Sequence, residues 1–294
     1  MQPVRFRQVD VFTNVPYRGN PVAVVLDAAG LDAEQMQRIA HWTNLSETTF
    51  VVPATTDEAD YRVRIYTPAS ELPFAGHPTI GTAHALLEAG LVTARNGALV
   101  QECGAGLVRL EVGEDAALGR SIGFELPPPA LRELDDAQVA ELVEILGTTL
   151  SPAVRPMLVD VGPRWVVAQL PSAAAVLAAT PDRQRMKAHD LALGSTGVVV
   201  FGEHPLGGAA KVEVRAFAPS CGIDEDPVCG SGNGCMAAFI RETGLLGRFG
   251  ERFVSSQGRA IGRDGRVRIE IGPDRIRVGG AAVTCIDGTI ASPA

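Results

Sequence analysis

The stretch VEVRAFAPSCGIDEDPVCGSGNGCMAAF, residues 212–239, decides the fold, because the chain carries it twice. The other copy is YRVRIYTPASELPFAGHPTIGTAHAL, residues 61–86. Arg64 matches Arg215 and Pro68 matches Pro219; after a three-residue insertion, Pro73 matches Pro227 and Gly76 matches Gly230. Each copy runs from an alternating strand pattern, through a proline-marked turn, into a helix whose first turns are small and apolar. Further upstream, GNPVAVVL (19–26) resembles GPRWVVAQL (162–170), and ETTFVVP (47–53) resembles STGVVVF (195–201). A period of roughly half the chain is a duplication, not a solenoid repeat. Two homologous domains are expected, 1–117 and 118–280, with the join near 115–123. The segment AAVTCIDGTI has no counterpart in the first half, so 281–294 is expected to return and complete the first domain.

Strand-like segments dominate: RFRQVDVF, NPVAVVLD, TTFVVPA, YRVRIYTP, LVRLEVG, RWVVAQL, TGVVVFG, KVEVRAFAP, RVRIEIG and DRIRVGG, most of them bounded by Gly, Pro or Asp. LDAEQMQRIAHWTN and DDAQVAELVEILGTTL read as amphipathic helices behind acidic caps. PTIGTAHALLEAG and GNGCMAAFIRETG are apolar nearly all round, so they belong inside something. The expected class is α+β: two pseudo-symmetric β-rolls, each wrapped around a central helix.

Composition narrows the function classes. The chain has 294 residues, 46% hydrophobic and 20% charged, with a net charge of −8. That acidity argues against nucleic-acid or anionic-membrane binding, which needs a basic face. No apolar run reaches about 18 residues, so no membrane span is expected. MQPVRFRQVDVF reads as a first strand and lacks the apolar core of a signal peptide. The five cysteines have no CxxC spacing, which fits reduced thiols in a cytoplasm better than a disulfide framework or a zinc site. The five histidines are scattered without HxxxH or HxH, so no metal is expected.

The matched turns FAGHPTIG and VCGSGNG could do one of two things. Their glycines and helix N-termini could present amides to an anion, or could simply let a buried helix pack closely. Two matched turns, pointing at one cleft between the domains, favour a carboxylate or phosphate. A nucleotide loop is the poorer reading. No GxxxxGK[ST] is present, and GSGNGC lacks the third glycine of a dinucleotide fingerprint. Glu47, in NLSETTFV, falls between a helix end and an apolar strand. It is either a capping acid or a desolvated acid–base group with a raised pKa. Residues 194–196, its counterpart, hold no acid, which favours function. His77 could relay a proton or donate to substrate, and Ser231, its pseudo-equivalent, could bind a carboxylate. Asp226, before Pro227, could orient His77 or bind an amine; Asp224 and Glu225 read as solvated neighbours. Cys229 stands before a helix, where the dipole lowers a thiol pKa, and its counterpart is Ala75. Cys235 reads as core.

With these residues assembled, the chain resembles the PhzF-like isomerase family of phenazine biosynthesis. The motifs are NLSETTFV, FAGHPTIG, FAPSCGIDEDPVCGSGNG, VDVFTNVPYRGNPVAVV and VGPRW, and the likeness spans essentially the whole chain. The resemblance implies the diaminopimelate-epimerase-like fold, an active site between two related rolls, a homodimer and no cofactor. It implies Glu47 as the acid/base that shuttles a proton, with His77 and Asp226 as further catalytic positions. Gly76, Gly230, Ser231 and Cys229 would line the substrate site. The substrate would be a small carboxylic acid like trans-2,3-dihydro-3-hydroxyanthranilate, whose proton leaves one ring carbon and returns to another. One departure matters: the phenazine enzyme has no thiol at Cys229, whereas the epimerases do, paired with one at the place of Ala75. A two-base racemase or epimerase using Glu47 and Cys229 is therefore one alternative. A non-catalytic protein that binds small anions is the other.

Overall fold

The structure is a computed structural model that describes residues 3–115 and 119–293. The boundary expected between 117 and 118 lies outside the described residues. The chain forms two compact units: the first runs to Phe124 and resumes at Gly279, and the second is Glu125–Val278.

The first unit contains β1 (Pro3–Val11), β2 (Asn20–Val25), α1 (Ala33–Thr43), β3 (Thr48–Val52), β4 (Tyr61–Tyr66), β5 (Glu71–Leu72), α2 (Gly76–Glu88), β6 (Ala98–Cys103), β7 (Gly106–Asp115) and β8 (Gly119–Glu125). Strand β2 runs parallel to β3, β3 antiparallel to β4, β4 parallel to β6, and β6 antiparallel to β7. Helix α2 packs on β1, β2 and β3 and buries every residue from His77 to Leu86. Its closest approach is at Gly81, where a Cβ would lie 2.4 Å from Val22 Cγ1. Helix α1 covers the other face of the sheet through Met36, Ile39 and Ala40, packed with Val25, Phe50 and Tyr66. Strands between two helical layers must be apolar on both faces, and β2 is buried along nearly its whole length.

The second unit contains β9 (Ala130–Glu133), α3 (Asp136–Leu146), β10 (Met157–Asp160), β11 (Arg164–Gln169), α4 (Ala173–Ala178), α5 (Arg183–Leu193), β12 (Gly197–Glu203), β13 (Val212–Ala218), β14 (Ile223–Asp226), α6 (Gly230–Glu242), α7 (Leu246–Phe249), β15 (Arg252–Gln257), β16 (Gly265–Ile271) and the start of β17 (Ile276–Ala291). The order of pairings repeats that of the first unit. Strand β11 runs parallel to β12, β12 antiparallel to β13, β13 parallel to β15, and β15 antiparallel to β16. Helix α6 takes the place of α2 and buries Gly232 through Ile240, while α3, α4 and α5 cover the outer face. Inside, Phe239 of α6 meets Phe201 edge to face at 5.8 Å. Burying one such ring contributes about 1.5–3 kcal/mol. From Gly279 onward β17 belongs to the first unit, where Ala282–Ala291 pair antiparallel with Pro3–Val11.

All ten strand-like segments are strands, and all four helix-like segments are helices. Helices α4 and α5 were not anticipated. Helix α4 has six residues, and the buried residues of α5 are Met186, His189 and Asp190, which make no apolar stripe. Among the described residues no helix is long and apolar enough to cross a membrane.

Candidate active site

Glu47 stands on a short connection whose ends are both fixed. Helix α1 stops at Asn44, which adopts the left-handed conformation and returns its N–H to Ala40 O. Thr43 Oγ1 and Thr48 Oγ1 lie 2.9 Å apart across the connection. Strand β3 starts immediately after Glu47, and Thr49 accepts a hydrogen bond from Thr82 Oγ1 of α2 at 2.8 Å. The Glu47 side chain is 15% exposed, and its Oε2 lies 3.4 Å from His77 Nε2. That oxygen has no hydrogen-bond partner among the described residues. Burial drives the carboxyl up to about 7, with the Ser46 hydroxyl pulling weakly the other way. The acid is therefore desolvated and poised near neutrality, not committed as a helix cap.

His77 is the second residue of α2 and is buried. The helix is preceded by extended Ala75, and no side chain caps it. Gly76 meets a packing demand: a Cβ there would lie 2.8 Å from Phe124 Cζ. Gln101 Nε2 donates to Thr79 Oγ1 at 3.0 Å and Tyr61 Oη donates to Gln101 Oε1, so the first turn of α2 is anchored to β6 and β4.

In the second unit the corresponding turn is anchored at equivalent places. Ser255 Oγ of β15 donates to Asn233 Oδ1, as Gln101 of β6 serves Thr79. Gln257 Oε1 accepts from the Cys229 and Asn233 nitrogens, and Gln257 Nε2 donates to Asp226 O at 2.9 Å. Asp226 Oδ1 accepts from Val228 N at 3.1 Å, folding the chain over Pro227. Ser231 Oγ accepts from Trp165 Nε1 at 3.0 Å. The structure therefore brings Asp226, Cys229, Gly230 and Ser231 together in one unit, and Glu47, Gly76 and His77 in the other.

Two sequence expectations are corrected. The Cys229 thiol is not acidified by its helix. Burial pushes it well above the usual range, and the Asp226 charge adds to that. Its sulfur instead caps α6, accepting from Gly232 N at 3.3 Å. Glu225 is not solvated: it is buried in a two-point ion pair with Arg215, at 2.9 and 2.8 Å. Only Asp224 is exposed, paired with Arg183. Glu71 makes the matching pair with Arg64 at 2.8 and 2.7 Å, so the repeated arginines carry repeated acids. Sequence reasoning also passed over Trp165 and Gln257 as site residues. The VGPRW motif was the one signal that could have drawn attention to Trp165.

Known proteins resemble this chain over nearly its whole length. A model of the family described as phenazine biosynthesis-like protein matches residues 9–288. Antisense-enhancing sequence 1 of Schizosaccharomyces pombe is 42% identical over 96% of this chain and 97% of its own. The trans-2,3-dihydro-3-hydroxyanthranilate isomerase of Pseudomonas chlororaphis is 36% identical over the same shares. The crystal structure of a phenazine biosynthesis protein of the PhzF family from Bacillus anthracis superposes with a TM-score of 0.86 at 26% identity, over 99% of this chain and 100% of that one. In fold alone, a probable proline racemase from Agrobacterium radiobacter is also similar, with a TM-score of 0.65 at 16% identity over 98% of this chain and 93% of that one. The two-roll, epimerase-like class is thereby established.

Proposed function

The chain belongs to the family of phenazine biosynthesis-like proteins and is an isomerase, and we propose that it moves a proton within a small carboxylic acid, with Glu47 as the group that takes and returns it. The observation that carries this reading is the Glu47 carboxyl, held near pH 7 by burial with one oxygen unpartnered 3.4 Å from His77. An acid–base group works best when its pKa lies near the working pH. In the proposed step the ionised carboxylate removes a proton from one substrate carbon, and the electron pair left behind enters the adjoining π-system. The resulting carboxylic acid then gives the same proton back at another carbon. No atom is gained or lost, and Glu47 ends as it began.

The proposed substrate resembles trans-2,3-dihydro-3-hydroxyanthranilate, the compound named for the Pseudomonas relative. Ser231 and the amide of Gly230, at the N-terminus of α6, receive its carboxylate, and Gly76 offers the N-terminal amide of α2 beside Glu47 and His77, since helix N-termini favour anions. Asp226 is the candidate for its amino group, and His77 assists Glu47. Cys229 is given no proton-transfer role, because its sulfur caps α6 and burial holds it as the thiol. The same reading carries a homodimer in the cytoplasm, to be checked by light scattering and fractionation.

The test is turnover of trans-2,3-dihydro-3-hydroxyanthranilate, followed by proton NMR. Wild type should consume it, and Glu47→Gln should lose more than about a hundredfold in kcat, within the range for a general acid–base group. Undiminished turnover by Glu47→Gln would overturn the assignment. No turnover by wild type would overturn the substrate.

A further inference from the structure

Equivalent positions in the two units carry different chemistry. His77 and Ser231 are the second residues of α2 and α6. His77 faces the Glu47 carboxylate, whereas Ser231 faces the Trp165 indole. Trp165 stands opposite Gly197; Val200 pairs with Arg215 as Phe50 pairs with Arg64, and counting three residues back from each puts Gly197 at the place of Glu47. Packing is tight at that place: a Cβ on Gly197 would lie 1.9 Å from Phe217 O and 2.9 Å from Trp165 Cζ3.

The indole also fixes the sense of a hydrogen bond. Its N–H donates and cannot accept, so Ser231 Oγ must be the acceptor. The serine proton must then point elsewhere. Its other neighbour is Cys229 Sγ at 3.6 Å, a weak acceptor that already takes the Gly232 amide. A carboxylate oxygen is the stronger acceptor and would draw the proton away from sulfur. A carboxamide oxygen can accept the same proton, but it carries no charge, so it gains less from the serine O–H and from the helix N-terminus than a carboxylate does.

We propose that Trp165 is a positioning residue that holds Ser231 as a hydrogen-bond donor and so makes this part of the site select carboxylates over neutral carboxamides. The inference rests on the reading above that Ser231 receives the substrate carboxylate. Benzoate and benzamide serve as probes, so the outcome does not depend on the identity of the substrate.

In NMR titrations wild type should bind benzoate about tenfold or more tightly than benzamide, the scale of one hydrogen bond to a charged group. Trp165→Phe should lose that preference by weakening benzoate alone. Ser231→Ala should lose it equally, and the double variant should lose no more than either single one. With trans-2,3-dihydro-3-hydroxyanthranilate, Trp165→Phe should raise KM about tenfold and leave kcat and its pH profile unmoved. The chain has two tryptophans and Trp42 is 82% exposed, so the protected indole proton reports Trp165. Ser231→Ala should shift that proton and speed its exchange, which tests the contact even if Trp165→Phe does not fold. An unchanged preference in Trp165→Phe, losses that add in the double variant, an unmoved indole proton, or no benzoate binding by wild type would each overturn the inference. Benzoate selectivity without turnover of the dihydro compound would instead overturn the substrate and leave this inference standing.

Discussion

At the scale of the residue, Glu47 links activity to stability. Its carboxyl titrates near 7 in the folded protein against 4.5 for the unperturbed group. A base must be ionised, so kcat/KM should rise with pH along a limb centred near 7, and Ser46→Ala should move that limb upward by removing the one opposing hydrogen bond. The sign for stability is opposite. Between pH 4.5 and 7 the folded chain binds more protons than the unfolded one, so stability falls as pH rises and levels off above 7. The loss is on the order of 3 kcal/mol. Glu47→Gln should therefore be more stable than wild type at pH 8, by about 1–3 kcal/mol, while losing turnover. Near pH 4 the two should unfold at similar urea concentrations; equal stability at both pH values would mean that Glu47 is not desolvated. Cys229→Ala should keep kcat within about fivefold but cost about 1–2 kcal/mol through its lost cap and cavity, and Cys229→Ser should recover part of that. A collapse of kcat in Cys229→Ala would restore the two-base mechanism. Part of the candidate site was legible in sequence because duplication supplies an internal control: Glu47 stands out against a counterpart, expected at 194–196 and put by the strand pairings at Gly197, that holds no acid. Trp165 was not legible as a site residue, because an indole in an apolar strand looks like core until its N–H partner is seen. The Cys229 thiol was misjudged because a helix end lowers a thiol pKa while burial raises it, and burial cannot be read from the motif.

At the scale of the element, one ion pair occurs twice in different surroundings. Arg215 and Glu225 join β13 to β14, with side chains 7% and 2% exposed, and Arg215 also donates to Val176 O and Ala179 O. Arg64 and Glu71 join β4 to β5 with side chains 26% and 41% exposed. Each pair pins the strand that leads into a site turn. Glu225→Gln strands a buried guanidinium and should cost about 3–5 kcal/mol. Glu71→Gln should cost less than about 1 kcal/mol, because water already screens that pair. Urea midpoints for the two variants check the contrast, and equal costs would refute it. Two of the strands that escaped the sequence reading share a physical cause. Strands β6 and β15 place Gln101, Ser255, Ser256 and Gln257 fully inside, where most of them bond the central helices or the turns before them. Buried polar residues that serve a helix look like loop residues to an apolar-alternation test. The alternating strands hid nothing: in β16, Val267, Ile269 and Ile271 are buried with half-exposed residues between them.

At the scale of the whole molecule, the duplication explains the shared order of strand pairings, and β17 is where the two copies stop being alike. The second unit is one continuous stretch, Glu125–Val278, whereas the first takes its last strand from the end of the chain. Nine residues of β1, Pro3 through Val11, pair with β17, and β1 also pairs with β2. Side chains reinforce the seam. Arg7 of β1, only 7% exposed, bridges Asp287 at 2.8 Å and Glu88 at 2.7 Å, and Thr284 donates to Glu88. A chain ending at Ala281 would strip β1 of one hydrogen-bonded neighbour and leave the Arg7 guanidinium with one carboxylate instead of two. Burying an under-paired charge beside an unpaired strand edge is costly, and the edge itself invites association. The truncated chain should therefore lose hydrogen-exchange protection across β1 and β2 and lose the protected state of Glu47, which sits beside the strand paired to β2. Protection across β12 and β13, whose pairings lie wholly within the second unit, should persist. Uniform loss across all four strands would mean that the units fold as one, and unchanged protection in β1 would mean that β17 adds nothing to the first unit. Arg7→Met in the full-length chain separates the side-chain share from the strand share: it should weaken β1 protection while leaving the β1–β17 register intact.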